Sequence, residues 1–336
     1  MIAGRHALLL AAVPVVCSVP AAARTLEVGF GQAYASPSEA AAAAADGDTV
    51  AIAPGSYFDC AIWRANGLTI AGTGGDVQIT DRTCAGKAGF VVEGDGVTIR
   101  GLTFTRMRVP DGNGAGIRAE GRDLTVEDSH FVNNQVAILT SGGGSLRISG
   151  CSFSGNGAGT ADHPLPAVLA GPLDRLLISR SVFEDPRGSG HIASSALRTE
   201  LVGNRLSGES GDGSRPLVSV DSPVVVLDGN TFTLPSESAD RPGAVLVFGD
   251  AEAVAVRGNR LVEPAGKVPM VRNWGGVAAA ADGNTVPDGV EAVSESGATY
   301  HRLRSRMAAL RSSAREAAGM ARHQVAVAAR GLGLIP

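Results

Sequence analysis

An eight-residue pattern of alternating apolar and polar positions recurs along the chain. The clearest copies are Val97–Phe104, Leu124–Phe131, Leu146–Phe153 and Leu176–Phe183. Degenerate copies follow at Thr199–Leu206, Val225–Phe232, Val254–Leu261 and Ala279–Val286. Measured at their last residues, successive copies are 27, 22, 30, 23, 26, 29 and 25 residues apart, which excludes a heptad and a helical repeat of fixed length. Within each octet, apolar and polar residues alternate and the alternation is then interrupted. This pattern predicts a short strand, a bend and the start of another strand.

A second short apolar run precedes each octet, as in Ala137–Leu139, Val168–Leu169 and Val245–Val247. Two or three strands therefore fit into each 22 to 30 residues, without a segment of helix length between them. A coil of this size cannot bury its apolar side chains alone, but stacked coils can. The sequence predicts an all-β fold, a single-stranded right-handed parallel β-helix.

Asparagine recurs within or just after the bend of the octets. The positions are Asn133, Asn134, Asn156, Asn204, Asn230, Asn259 and Asn284. Asparagine tolerates the left-handed backbone of a tight turn, and stacked amides can hydrogen-bond along the axis. We expect these side chains to stack at one turn and to be structural.

The ends of such a stack need covers, because exposed strand edges invite aggregation. Ser36–Glu39, followed by alanines up to Ala45, predicts a short N-terminal helical cap with proline in its first turn. From Tyr300 to Arg330, apolar residues recur at steps of three and four, which predicts a C-terminal amphipathic helix.

The chain is predicted to have three parts: residues 1–23, a β-helix over residues 24–297, and a basic C-terminal helix or tail over residues 298–336. The third part has seven arginines and one glutamate, which gives a net charge of +6. Two roles remain open for it. It docks on the acidic solenoid or caps the last coil, or it contacts an anionic envelope surface.

Residues 1–23 have the pattern of a secretory signal peptide. Arg5 precedes an apolar run from Ala7 to Val19, and Ala21–Ala23 offers a small-residue cleavage site. The run is short for a membrane span. Cys17 leaves a lipoprotein alternative open, although the two valines before it do not suit such a site. We expect export to a bacterial periplasm or beyond.

Composition and charge narrow the function classes. The 336 residues are 44% hydrophobic and 4% aromatic, with 45 glycines, which excludes intrinsic disorder and suits short strands and tight turns. The net charge of −4 argues against a nucleic-acid-binding protein. Of the three cysteines after residue 23, Cys60 and Cys84 lie near turns of the first coils and are the expected disulfide pair, and Cys151 suits a buried position. Their spacing predicts no metal site.

Several stretches resemble a known group of proteins. Ala44–Tyr57 resembles the opening of bacterial proteins in the pectate-lyase-like, right-handed parallel β-helix superfamily. Asn113–Arg118, Leu124–Val126 and Asn156–Gly157 look like exported β-helix repeat proteins from proteobacteria. The resemblance extends to about Asn284. It implies the fold, whereas β-helices host lyases, hydrolases, epimerases and proteins without enzymatic activity.

The same resemblance implies a candidate catalytic set. Members of the group tend to carry His-Asn-Leu-Tyr, Gly-His-x-x-Lys-Ser-Arg and Glu-Ile-Asp-Leu-Pro segments on successive coils. The corresponding positions here retain His163, His191 and Asp221 but lack the tyrosine, the lysine and the glutamate. We therefore expect these three residues on successive coils, at one lateral groove, as the candidate catalytic residues.

The chemistry of a uronate polymer suggests further residues. A lyase or C5-epimerase must neutralise the substrate carboxylate and remove the proton beside it. Arg118 and Glu120 are predicted to extend the groove. Arg272 is suited to pair with a uronate carboxylate and Trp274 to stack on a sugar ring. No cofactor is predicted, and Ca²⁺ dependence is left open.

The leading hypothesis is an exported, monomeric protein that recognises an anionic polysaccharide of the cell envelope or its surroundings. Two alternatives remain. The first is an active polysaccharide lyase or C5-epimerase that acts on a uronate polymer by proton abstraction. The second is a structural or adhesive solenoid without a sugar site. The sequence leaves open whether the protein is an enzyme.

Overall fold

The computed structural model describes residues 23–159, 164–208, 215–235, 241–262 and 267–295. The chain has one helix in these ranges, α1 (Pro37–Ala43). The strands in chain order are β1 (Thr25–Val28), β2 (Thr49–Ile52), β3 (Gly55–Tyr57), β4 (Ala61–Trp63), β5 (Thr69–Gly72), β6 (Val77–Thr80), β7 (Ala88–Val92), β8 (Thr98–Arg100), β9 (Thr103–Thr105), β10 (Ala115–Ala119), β11 (Leu124–Glu127), β12 (His130–Val132), β13 (Val136–Thr140), β14 (Ser145–Ser149), β15 (Ser152–Ser154), β16 (Ala158–Gly159), β17 (Pro164–Leu165), β18 (Val168–Ala170), β19 (Arg175–Ser179), β20 (Val182–Glu184), β21 (Ile192–Ser194), β22 (Arg198–Val202), β23 (Arg205–Ser207), β24 (Val218–Asp221), β25 (Val224–Asp228), β26 (Thr231–Thr233), β27 (Val245–Phe248), β28 (Ala253–Arg257), β29 (Arg260–Val262), β30 (Val271–Asn273), β31 (Ala280–Asp282) and β32 (Val293–Ser294).

The strands form three long parallel sheets, and successive coils add one strand to each. Sheet A has 11 strands (β1-β2-β5-β8-β11-β14-β19-β22-β25-β28-β31), sheet B has nine (β29-β26-β23-β20-β15-β12-β9-β6-β3) and sheet C has ten (β32-β30-β27-β24-β21-β18-β13-β10-β7-β4). The octet prediction is confirmed, because the octet Val97–Phe104 covers β8 of sheet A, the bend and the start of β9 of sheet B. The molecule is therefore a parallel β-helix.

Large apolar side chains stack inside the coils at the middle of sheet B. The rings of Phe104, Phe131, Phe153 and Phe183 are nearly parallel, with successive centroids 5.3, 5.0 and 4.3 Å apart. All four are buried, and Leu206, Phe232 and Leu261 continue the row. At about 4.8 Å per coil, equivalent residues come into direct contact, so the octet repeat builds one continuous core.

The asparagines form two ladders at different turns, which corrects the expectation of a single turn. Asn134 and Asn156 stack between sheets B and C, where Asn134 Nδ2 donates to Asn156 Oδ1 at 3.0 Å. The second ladder lies between sheets A and B and consists of Asn204, Asn230, Asn259 and Asn284. Its members are mostly buried, and their amide groups also bond the backbone of neighbouring coils. The predicted structural role of these stacked residues is confirmed.

The N-terminal helix α1 lies at the start of the solenoid and packs against β1 and β4, the first strands of sheets A and C. Ser36 is its N-cap, and its hydroxyl accepts a hydrogen bond from the Glu39 backbone N–H at 3.4 Å. Pro37 occupies the first turn, as the sequence predicts. Ala40 is fully buried in the same core as the strands, so α1 extends the apolar interior.

The cysteines are placed in two ways. Cys60 and Cys84 form a disulfide with a Cα–Cα distance of 5.4 Å. Cys151 is buried, and burial raises the pKa of its thiol to about 12. The described part of the chain has no helix with the length and hydropathy that a membrane span requires. The predicted signal peptide and C-terminal helix lie outside the described residues, apart from residue 23.

Candidate functional site

The outer face of sheet C carries most of the residues that the sequence analysis selected. One residue from each of seven successive strands, β10 to β30, pairs in register with the next. This outer row consists of Arg118, Leu139, Leu169, Ala193, Ser219, Leu246 and Arg272. It alternates with buried residues that point into the core. Six strand spacings separate the two arginines, a distance of about 29 Å.

A flanking row lies two residues further along the same strands. It includes Glu120, Asp221, Phe248 and Trp274. Asp221 pairs with Phe248 in register, and the Trp274 backbone N–H donates to Val247 O at 2.8 Å. Asp221 and Trp274 are therefore two strand spacings apart, or about 10 Å. The fold brings five predicted residues onto one face: Arg118, Glu120, Asp221, Arg272 and Trp274.

The N-terminal end of the outer row has an excess of positive charge. Lys87 Nζ donates to Glu120 Oε1 at 2.6 Å, and Arg118 Nε lies 3.7 Å from the same oxygen. Two cations therefore share one carboxylate. Arg118 is largely buried, and its Nε has no hydrogen-bond partner. This leaves a net charge of +1 at a site where an anion can offset the repulsion between Lys87 and Arg118.

Arg272 and Trp274 lie at the other end, on and just after β30. Arg272 Nε donates to Pro242 O at 2.9 Å, and its Nη1 donates to Ser294 Oγ at 2.9 Å. These bonds fix the orientation of the guanidinium group. Trp274 is half-buried and lies beside the half-buried Phe248. Arginine and aromatic side chains are groups that bind a carboxylate and a sugar ring.

Asp221 ends β24 on the outer side of the sheet. Its Oδ1 occupies the space that a side chain at Gly249 would fill, since a Cβ there would lie 2.0 Å from that oxygen. Gly249 also has a φ of 85°, a left-handed conformation that glycine adopts without strain. Burial, and then the charge of Asp250, raise the pKa of the Asp221 carboxyl.

The expectation that His191 faces the lateral groove is wrong. Its side chain is fully buried inside the coil, where the ring lies 5.5 Å from that of Phe183. Nε2 is 2.8 Å from Ser207 O, whereas Nδ1 has no partner. Burial lowers the pKa of His191 to about 4. His191 and Asp221 lie on consecutive coils, as expected, but on opposite sides of sheet C.

A change in the backbone pattern places His191 inside. The backbone N–H groups of His191 and Ile192 both donate to Leu217 O, at 2.8 and 3.3 Å. Two successive donors on one acceptor interrupt the alternation of the strand, so both side chains are buried. His163, the other predicted catalytic histidine, lies outside the described residues.

The outer face of sheet C combines cationic, acidic and aromatic side chains. The described residues of the outer and flanking rows are arginines, carboxylates, aromatic rings and small or apolar side chains, and Lys87 lies beside them through its bond to Glu120. In the described residues, no group of three or more His, Cys, Asp or Glu side chains is arranged to hold a metal ion.

Comparisons with known proteins identify the architecture. The family model described as "Right handed beta helix region" matches residues 41–163. The crystal structure of an alginate lyase from Paenibacillus sp. str. FPU-7 matches with a TM-score of 0.52 and 14% identity, over 80% of this chain and 97% of that chain. A mutant pectin methylesterase in complex with a hexasaccharide matches with a TM-score of 0.45 and 13% identity, over 82% and 94% of the two chains. No curated protein sequence matches the chain. The chain folds as a right-handed parallel β-helix, and residues 41–163 match the family model of that fold.

Proposed function

We propose that this protein is exported and binds an anionic polysaccharide along the outer row of sheet C. The observation that carries the proposal is the uninterrupted row between Arg118 and Arg272, about 29 Å long. A site of this length with a cation at each end suits an extended polymer with repeated carboxylates better than a small molecule. The resemblance in fold to an alginate lyase supports a polysaccharide as the class of ligand.

The middle of the row provides the floor for such a polymer. Leu139 is buried, and Leu169, Ala193, Ser219 and Leu246 are partly exposed. From Leu169 to Leu246, small and apolar side chains in line would let a chain approach the sheet along four coils, whereas Leu139 is covered by its outer neighbours. Trp274 and Phe248 then offer flat apolar surfaces, which pack against the faces of sugar rings. The arginines provide the charge contacts, and guanidinium groups pair well with carboxylates.

Retardation in native gels tests the proposal. We expect the purified chain to migrate more slowly in gels that contain alginate, polygalacturonate or hyaluronan, but not in gels with neutral dextran. Because each arginine supplies a charge-assisted contact, Arg118→Ala and Arg272→Ala should each weaken binding by about tenfold. Arg147→Ala is the matched control, since it removes an exposed arginine from β14 of sheet A. Equal retardation of all variants would contradict the proposed site.

The same polymers separate the alternatives. A lyase would generate unsaturated ends, which absorb ultraviolet light, when it is incubated with its substrate. Rising absorbance that His163→Ala abolishes would favour the enzyme hypothesis. Migration that is unchanged in every gel, with no absorbance change, would favour a structural or adhesive solenoid and would contradict the proposed function.

A further inference from the structure

A second cationic feature lies at the turns between sheets B and C. The residue after each of five consecutive sheet B strands, β6, β9, β12, β15 and β20, adopts a left-handed conformation there. These residues are Asp81, Arg106, Asn133, Gly155 and Asp185, with φ values of 61°, 57°, 55°, 62° and 53°. The turns stack in register, as the backbone bond from Asn133 N to Ser154 O at 2.9 Å shows. Side chains from several coils can therefore converge along the axis.

Two arginines from distant coils converge on one amide oxygen at these turns. Arg108 Nη2 donates to Asn133 Oδ1 at 2.7 Å, and Arg187 Nη1 donates to the same oxygen at 2.8 Å. Arg108 Nη1 also donates to Asn133 O at 2.6 Å. Arg187 reaches Asn133 across Gly155, where a Cβ would lie 3.5 Å from its Nε. We call Arg108 and Arg187 the arginine pair.

The arginine pair makes no direct contact with a carboxylate in the described residues. In the described ranges, neither member has an ion pair within 4.0 Å. The nearby Asp81 is bound by Arg106, through bonds of 2.8 and 2.6 Å. Burial, and then the charge of Arg187, lower the pKa of Arg108. Two positive charges therefore meet at a neutral acceptor.

In another pair of arginines in the same chain, a carboxylate offsets the repulsion between the two positive charges. Arg175 and Arg198, on the outer face of sheet A, also converge, but on the carboxylate of Glu200. Glu200 is mostly buried between them and accepts bonds from both guanidinium groups. At Asn133 the equivalent central group is an uncharged amide, and the charge of Asp81, which acts to raise the pKa of Arg108, offsets only part of the repulsion.

We propose that the arginine pair binds an oxyanion, namely a sulfate, phosphate or carboxylate group, between its two guanidinium groups. A guanidinium group is planar, and its N–H donors can pair with two oxygens of such an anion. The hydrogen bonds to Asn133 fix the positions of both guanidinium groups. Both arginines are exposed, so a free ion and a group on a polymer have access. The site follows the strands of sheet B and does not depend on the outer row of sheet C.

Nuclear magnetic resonance of the arginine side chains tests the site directly. Sodium sulfate replaces sodium chloride at constant ionic strength in a solution of the full chain. The Nε–H signals of Arg108 and Arg187 are expected to shift and to saturate, whereas that of Arg147 on sheet A should not. Shifts of all arginine signals without saturation would overturn the proposal, because they would reflect general screening.

Variants provide the second criterion. Arg187→Ala removes one of the two guanidinium groups. The sulfate concentration that half-saturates the shift of the Arg108 signal is expected to rise about tenfold. Arg147→Ala removes the same charge elsewhere and should leave that dependence unchanged. Equal effects of the two variants would overturn the site. Because both changes are at exposed side chains, the fold should be preserved, which the rest of the spectrum reports.

Two further titrations identify the source of the anion. Dextran sulfate that binds more tightly per sulfate group than inorganic sulfate, with neutral dextran inactive, would assign the site to a group on a polymer. Inorganic phosphate or sulfate that binds as well as dextran sulfate would assign it to a free ion. Loss of Arg118 or Arg272 should alter neither result, so failure of this proposal and failure of polysaccharide binding on sheet C are distinguishable.

Discussion

The inside of the coils and the outer face of sheet C are formed by the same backbone but differ in how their residues repeat. Inside sheet B, phenylalanine follows phenylalanine over four coils, from Phe104 to Phe183. On the outer row of sheet C, arginine is followed by two leucines, alanine, serine, leucine and arginine. Identical side chains on successive coils pack well inside the solenoid, because each contacts the next. The outer row has no such requirement, and its side chains differ in size, charge and exposure from one coil to the next.

The largest test of this comparison is Phe153→Ala. Phe153 is buried between two parallel rings, at 5.0 and 4.3 Å, and its removal leaves a cavity in the stack. We expect the free energy of unfolding to fall by about 3–5 kcal/mol, measured by denaturation in urea.

Phe232→Ala is the matched control for ring stacking. Phe232 is equally buried, but its neighbours in the row are Leu206 and Leu261. Its loss should cost less than that of Phe153 by about 1 kcal/mol, because parallel aromatic pairs contribute beyond their buried area. A larger loss of unfolding free energy for Phe232→Ala than for Phe153→Ala would show that aromatic neighbours in the sheet B row add nothing to stability.

The repeated interior explains why the fold could be predicted from the sequence. The first and last apolar residues of each octet lie on or next to strands of two different sheets, as in Val97–Phe104. Because the coils stack, the distance between these two residues is the same inside every octet. The stacking of the asparagines could be predicted for the same reason, because they recur at the bends of successive octets. Their division into two ladders could not, because Asn134 and Asn204 follow similar left-handed turns and differ only in which sheets those turns join.

The candidate site was predicted only in part. Arg118 and Arg272 lie within regular strands, where alternation assigns them correctly to the outside. His191 lies at the entry to β21, where two successive N–H groups share one carbonyl, so period-two reasoning fails. The arginine pair was missed entirely. Its members are 79 positions apart (187 minus 108), and each lies four residues after the end of an octet, where the alternation of the strands no longer indicates the direction of a side chain.

The second test uses pH to compare an interior histidine with the surrounding core. His191 has a pKa of about 4 in the folded protein, lowered by burial, against about 6.5 when unfolded. Asp185 and Arg241 are the charged groups that act on it, in opposite directions. The unfolded chain takes up the proton first as pH falls. Stability is therefore complete above about pH 6.5 and declines toward pH 4, by roughly 3 kcal/mol from this residue.

His191→Leu should remove that decline. The variant and the unmodified chain are compared by urea denaturation at several pH values between 7 and 4. The expected result is a difference in stability that shifts in favour of His191→Leu as pH falls. His191→Phe repeats the comparison with a ring beside Phe183, which separates the proton from the packing. Parallel curves for all three proteins would show that His191 does not take part in the acid response.

The smallest expected effect is that of Asp221→Asn, on the outer side of sheet C. Because the pKa of Asp221 is raised, its ionised form is slightly unfavourable in the folded state. Asp221 is exposed and water screens its charge, so asparagine should stabilise the protein at pH 7 by no more than a typical surface substitution, less than about 0.5 kcal/mol. The gain should vanish near pH 3, where the carboxyl is protonated in both states. Urea denaturation at the two pH values checks this. A loss above about 1 kcal/mol would mean that the outer face shares the structural demands of the interior, and the contrast between the two regions would fail.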